Sequence, residues 1–150
     1  MILDMRIEKY ISLLTGATVT KSRSGGAAGS MIKIEFSNNS TILTYCSWRV
    51  EHNERVLASS NDNIEAVNGL VAKTVKLLEG KKIKSIAISN QYDLIISFEE
   101  KYSLKLFCDI SYSYSEYETS LTKNWELWIP YEDISFTVNN SFEVEEGKYY

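Results

Sequence analysis

Apolar and polar positions follow two rhythms along the 150-residue chain. Leu3, Ile7, Tyr10, Ile11 and Leu14 recur at helical spacing, with Asp4 placed early, where a negative charge suits the helix dipole. Ile64, Val67, Val71, Val75 and Leu78 form a second helical stripe that Asn61, Asp62 or Asn63 can cap. Gly16 and Gly80 fall just past the last apolar turn of each, where a left-handed residue closes a helix. Both helices have a single apolar face, so each must lean on something.

Elsewhere the period is two. Ile32, Ile34 and Phe36 alternate with polar residues, residues 37–40 turn the chain, and Ile42, Thr44, Cys46, Trp48 and Val50 read as one returning strand. Leu94, Ile96 and Phe98, a turn at 99–101, and Leu104, Leu106, Cys108 and Ile110 repeat the device. Val19 and the 83–88 region supply a strand before each hairpin. Trp125 to Ile129 reads as a further strand ended by Pro130, and Ile134, Phe136 and Val138 as one more. Loops are expected at 22–30, 51–60 and 111–122. Residues 139–150 make a polar acidic tail, frayed from Glu143 onward.

The elements recur in order. Residues 13–19 align with 77–83 at an offset of 64, and both 32–36 and 42–46 align with 94–98 and 104–108 at an offset of 62. The second alignment superposes Cys46 on Cys108. The expected fold is therefore α+β: two related units, about 1–60 and 61–138, each a helix followed by an antiparallel meander. Each is short for independent stability, so the expectation is one domain with a shared core.

Composition narrows the class. Hydrophobic residues make up 44% of the chain and proline occurs once, which suits a folded protein that needs no staple. No apolar run approaches the ~20 residues of a membrane span. The N-terminus lacks the basic-then-apolar pattern of a signal peptide, so the expected compartment is the cytoplasm, with Cys46 and Cys108 kept as thiols.

Catalytic signatures are sparse. His52, the sole histidine, lies in a charged stretch that reads as an exposed loop, and one histidine with two distant thiols makes a poor metal site. The cysteines fall on apolar strand faces and lack a Cys-x-x-Cys spacing, which favours core packing. The glycine-rich stretch 24–30 fits neither the dinucleotide nor the Walker pattern and reads as a mobile hairpin loop. The carboxylates sit in polar runs rather than facing pairs, and the short Lys81-Lys82-x-Lys84 patch does not make a nucleic-acid surface. No enzyme, cofactor, nucleic acid or membrane partner is expected.

Charge carries more information. The net value of −4 hides an asymmetry: residues 1–108 hold fourteen basic and eleven acidic side chains, whereas residues 109–150 hold two basic and nine acidic ones. Such a block attracts a cationic partner. Within it Tyr112, Tyr114 and Tyr117 alternate with serines and acids, a composition that gives rigid amphipathic contact area with adaptable hydrogen bonding. The expected contact set is Asp109, Glu116, Glu118, Glu126, Glu132 and Asp133 facing a cation, with Tyr112, Tyr114 and Tyr117 as anchors.

The succession Leu-x-Gly, Ile-x-Ile-x-Phe, a tight turn, Leu-x-Leu-x-Cys and then Asn124-Trp125-Glu126-Leu127-Trp128-Ile129-Pro130 resembles small cytosolic bacterial proteins, among them immunity proteins of contact-dependent inhibition and related toxin systems. The resemblance spans roughly residues 13–130 and rests on strand patterning. It implies a non-enzymatic protein that binds a cognate toxin, often a cationic nuclease domain, and neutralises it in the bacterial cytosol. The alternative is a small adaptor domain that forms a homodimer through an exposed strand edge.

Overall fold

The computed structural model describes residues 3–109 and 123–148. In chain order the elements are α1 (Met5–Ser12), β1 (Val19–Arg23), β2 (Ile32–Phe36), β3 (Thr41–Thr44), β4 (Ser47–His52), β5 (Arg55–Ser59), α2 (Leu70–Lys76), β6 (Ile83–Ile88), β7 (Leu94–Phe98), β8 (Tyr102–Phe107), β9 (Lys123–Ile129), β10 (Ile134–Asn139) and β11 (Val144–Gly147). They build an α+β protein, mostly β, with two antiparallel sheets. One sheet has the order β1-β2-β3-β9-β10-β11 and the other β5-β4-β8-β7-β6.

Each helix forms where its stripe predicts, and both are shorter than expected. In α1 the Asp4 carboxylate accepts from the Arg6 N–H at 2.9 Å, and Ile7 and Ile11 point inward. In α2 the inward face is Val71 and Val75, continued by Leu78. Ile64 and Val67, expected on that stripe, are exposed at 44% and 72%. Gly69, not Asn61, Asp62 or Asn63, caps the helix. Asn63 instead holds a separate turn, its Oδ1 accepting from Glu65 N and its carbonyl from Val71 N. That turn folds back so tightly that a Cβ on Gly69 would stand 2.5–2.7 Å from backbone atoms of Asn63 and Glu65. Only glycine fits there.

The hairpins β2–β3 and β7–β8 keep the expected register, with Ile34 opposite Ile42 and Ile96 opposite Leu104. Three expectations are corrected. The strand from Ile42 to Val50 is two strands in different sheets, because Tyr45 N–H and Cys46 N–H both donate to the Asn124 carbonyl, at 2.8 and 3.0 Å, and so leave the ladder. Parity survives the switch: Thr44, Cys46, Trp48 and Val50 all remain buried. The expected loop at 51–60 is a hairpin whose two central residues, Asn53 and Glu54, both have positive φ, the geometry that matches strand twist. The tail is ordered in part, since β11 pairs with β10 from Val144 to Gly147. The expected loop at 111–122 lies outside the described residues.

The helices close the gaps between the sheets. α2 packs between β1 and β5, one edge from each sheet, while α1 packs on β6 and reaches β10, where Tyr10 meets the Phe136 ring at 5.3 Å between centroids. The residues after the two helices join directly through Gly16 N–H to Ile83 O, Gly80 N–H to Val19 O, Ile83 N–H to Ala17 O and Val19 N–H to Lys81 O, all at 2.8–2.9 Å. One continuous core results, drawing on both helices and both sheets. At its centre Trp48 and Trp125 are fully buried, and each indole N–H finds a backbone carbonyl, Ser30 at 2.7 Å and Tyr92 at 2.8 Å. Trp125→Phe removes that donor and leaves space beside Tyr92 O; the expected loss is about 1–3 kcal/mol in urea unfolding.

Candidate functional site

The edge of the six-stranded sheet is built from β10 and β11. Their register sets Glu146 opposite Phe136 and Glu145 opposite Thr137, so the two acids face opposite sides of the strand. Glu146 turns toward α1 and pairs with Arg6 at 3.3 Å, while Arg6 also binds Asp4 at 2.7 Å. Glu132 and Asp133 lie in the turn between β9 and β10, with Asp133 in the left-handed region. Tyr10 O–H donates to the Glu132 carboxylate, which holds the phenol above its ordinary range. Glu143 begins the approach to β11 and is exposed.

At the far end of β10 the chain is tied by asparagine side chains. Asn139 Oδ1 accepts from Ser141 N and Glu143 N, at 2.9 and 3.1 Å. Asn124 is fully buried; its Oδ1 accepts from Asp109 N at 2.9 Å, and its Nδ2 donates to the carbonyls of Asp109 and Asn139, at 3.2 and 3.1 Å. Asn140 Nδ2 also donates to Asp109 O, at 2.9 Å. Asp109 is therefore pinned by its backbone while its side chain stays exposed.

The expected contact residues divide accordingly. Asp109, Glu132 and Asp133 are exposed, as are Glu143, Glu145 and Glu146. Among the described residues Asp109, Asp133 and Glu143 have no ion-pair partner, while Glu145 lies within electrostatic reach of Lys123. Glu126 does not belong to an open acidic face. It is 5% exposed, paired with Lys123 at 2.5 Å and accepting from Trp128 Nε1 at 2.8 Å, so its charge is already met within β9. Tyr112, Tyr114, Glu116, Tyr117 and Glu118 lie outside the described residues. Asp109 and Lys123, which flank that segment, are both held beside Asn139, the first through Asn124 and the second by strand pairing.

Other candidate chemistry resolves differently. His52 is not a loop residue; it ends β4 and stacks on Tyr102 at 4.1 Å between ring centroids. Cys46 and Cys108 come together where β3 gives way to β4. The Cys46 thiol beside Cys108, and then burial, push Cys108 far above the ordinary thiol range, the state of a packed and unreactive pair. The glycine-rich stretch is not a mobile loop. It forms a short 3-10 turn at Gly26–Ala28 docked on the segment leading into α2, with Gly26 N–H donating to Ile64 O at 2.6 Å. Among the described residues no cluster of three or more His, Cys, Asp or Glu is placed to hold a metal ion. No helix among them is long and apolar enough to cross a membrane.

Opposite chemistry marks the outer face of the five-stranded sheet. There Glu51, 7% exposed, receives Arg49 at 2.8 Å and Lys105 at 2.9 Å. Burial alone raises its pKa, but the hydrogen bonds from Lys105 and Arg49 outweigh that and leave the carboxyl below its ordinary value of 4.5. Comparison with protein-family models, with curated proteins and with solved structures returned no match.

Two outcomes are expected. Because Glu51 is more acidic folded than unfolded, its contribution is complete above pH 4.5 and fades as pH falls through the lower folded value. Glu51→Gln should then cost about 1–3 kcal/mol at pH 7 and progressively less in denaturation below pH 4. Asn124→Ala strips partners from Asp109 N–H, Asp109 O and Asn139 O together, and should cost about 2–4 kcal/mol with faster amide exchange at Asp109.

Proposed function

We propose that the protein acts by binding, as an immunity protein that neutralises a cognate toxin carrying a basic, nuclease-type domain in the bacterial cytoplasm. One observation carries the reading: Glu145 and Glu146 lie on the edge strand β11 of the six-stranded sheet with Glu143 just before it, Glu132 and Asp133 occupy the turn at one end of β10 and Asp109 is held at the other, and among the described residues Asp109, Asp133 and Glu143 have no ion-pair partner. A field of that kind steers a basic partner into register and speeds encounter. The Tyr112, Tyr114 and Tyr117 segment, with Glu116 and Glu118, starts and ends at the Asp109 end of β10 and supplies the aromatic anchors. No bond is made or broken in this reading, in which the sole histidine stacks on a tyrosine and the Cys108 thiol is held well above its ordinary range.

The chain organisation is proposed to be a repeat of two units. Its support lies in paired hydrogen bonds: Gly16 to Ile83 and Gly80 to Val19 exchange under the offset of 64, as do Val19 to Lys81 and Ile83 to Ala17. The irregularities between Val19 and Lys21 and between Ile83 and Ser85 match in the same way.

The adaptor alternative needs an open strand edge. β11 presents Glu145 and Glu146, with Glu143 just before it, like charges that oppose pairing with a second copy of itself.

The test takes as immobilised partner the C-terminal domain of the protein encoded immediately upstream, which this reading expects to be a large secreted toxin. Replacing Asp133, Glu143 and Glu145 with lysine should lower the association rate about tenfold or more at low salt and flatten its salt dependence. Unchanged kinetics would remove these acids from recognition. A stable homodimer by light scattering, with no toxin affinity, would favour the adaptor.

A further inference from the structure

On the side of the molecule where α2 meets β1 and β2 lies a cleft of about 900 Å³. The 24–29 turn forms one wall and the segment from Ala66 through α2 the other. Its apolar lining comes from Ala27, Ala28, Met31, Ala66, Val67 and Leu77. Val67 and Leu77, at 72% and 46% exposed, are too open to belong to the core. A concave, mostly apolar site of a few hundred to a thousand Å³ with a few polar groups is the usual form of a small-molecule site.

The charge on this cleft has one sign. Arg23, Lys33, Lys73 and Lys76 line it, and no carboxylate does. Lys76 is answered by Glu79 at 2.9 Å and Lys33 by Glu35 at 3.5 Å, whereas Arg23 and Lys73 have no ion-pair partner among the described residues. Ser24, also in the lining, has its hydroxyl enclosed without a hydrogen-bond partner. Two uncompensated cations at the mouth of an apolar cleft, in a protein of net charge −4, are the complement of an anionic head on an apolar body.

The walls are held apart rather than free to collapse. A Cβ on Gly25 would stand 3.1 Å from the Ala72 Cβ, and one on Gly26 would stand 3.0 Å from the Ala66 Cβ. The turn meets the α2 side at these two glycines. Ser22 secures the floor, its Oγ donating to Val75 O at 2.8 Å and its N–H to the Glu79 carboxylate at 2.9 Å.

We propose that this cleft binds a small single-chain amphiphile with an anionic head, the chain lying along Ala28, Met31 and Val67 and the head between Arg23 and Lys73. The site is separate from the acidic β11 edge, so it stands or falls independently of toxin binding. Isothermal titration of the full chain with dodecanoate, kept below its micelle concentration, should give saturable 1:1 binding. Dodecyltrimethylammonium, with the same chain and the opposite charge, should bind about tenfold more weakly or worse. Arg23→Glu with Lys73→Glu should cost dodecanoate about tenfold and reverse that preference. Val67→Trp fills the cleft from a position 72% exposed and should abolish binding while circular dichroism stays unchanged. Equal binding of the two amphiphiles, dodecanoate affinity untouched by Val67→Trp, or no saturable binding would overturn the proposal. So would a homodimer that Val67→Trp dissolves, since a second copy of the chain would then be the occupant.

Discussion

One buried asparagine governs how the two sheets are joined. Asn124 stands at the place where β3 leaves the six-stranded sheet for β4 and where the chain beyond β8 returns as β9. Its carbonyl takes two backbone N–H groups from the departing strand, and its side chain closes both backbone groups of Asp109 and the carbonyl of Asn139. A strand that changes sheets must abandon its ladder, and each abandoned group costs free energy unless another partner is ready. An amide side chain is the group suited to that position, because it donates and accepts at once. A leucine of similar size would fill the space but take the side-chain partner from Asp109 N–H and the Asn139 carbonyl, leaving Asp109 O to Asn140.

That junction also sets the surface. Because β3 and β4 keep the same parity across the switch, Thr44, Cys46, Trp48 and Val50 all face the shared core, and the outer faces of the two sheets become independent. One outer face gathers Arg49, Lys105 and a single buried acid, Glu51. The free edge of the other, β11, carries Glu145 and Glu146. The imbalance visible along the chain thus becomes an imbalance in space. It is not complete: Glu126 is drawn inward, where Lys123 and the Trp128 indole meet its charge.

Much of the strand pattern was legible because period-two alternation survives folding almost intact in β2, β7, β8 and β10, whereas β3 and most of β9 are buried on both faces. Boundaries were harder wherever the deciding contact lies far away in the chain. Nothing local to Tyr45 announces that Asn124 will capture its N–H. Asn53-Glu54 carries no glycine, so a two-residue turn with positive φ at both positions did not show. The cap of α2 was hidden for a different reason. Asn61, Asp62 and Asn63 are all good capping residues, but Asn63 is committed to a turn that only Gly69 can complete. That glycine, in mid-stripe, was the available signal. For the acidic site, residue type predicted exposure correctly at Asp109, Glu132 and Asp133. It failed at Glu126, where the surrounding Trp125, Leu127 and Trp128 marked a strand too enclosed to leave a carboxylate in water.

The docked glycine turn shows how much a neighbouring element changes the meaning of a motif. Ser24-Gly25-Gly26-Ala27-Ala28-Gly29 lacks every spacing that would let it cradle a phosphate, and read alone it is a flexible connector. Placed against α2, its lack of side chains becomes the useful property. Gly25 and Gly26 approach Ala72 and Ala66 as closely as Cβ-free backbone can, while Ala27 and Ala28 turn small apolar groups toward open space. Larger residues at the first pair would push the turn off the helix, and larger residues at the second would occupy the cleft. Small size therefore meets two separate demands within four consecutive residues, contact on one side and vacancy on the other. Arg23 and Lys73, without an ion-pair partner among the described residues, border that vacancy, while the nearby Glu79 carboxylate is taken by Lys76 and the Ser22 N–H.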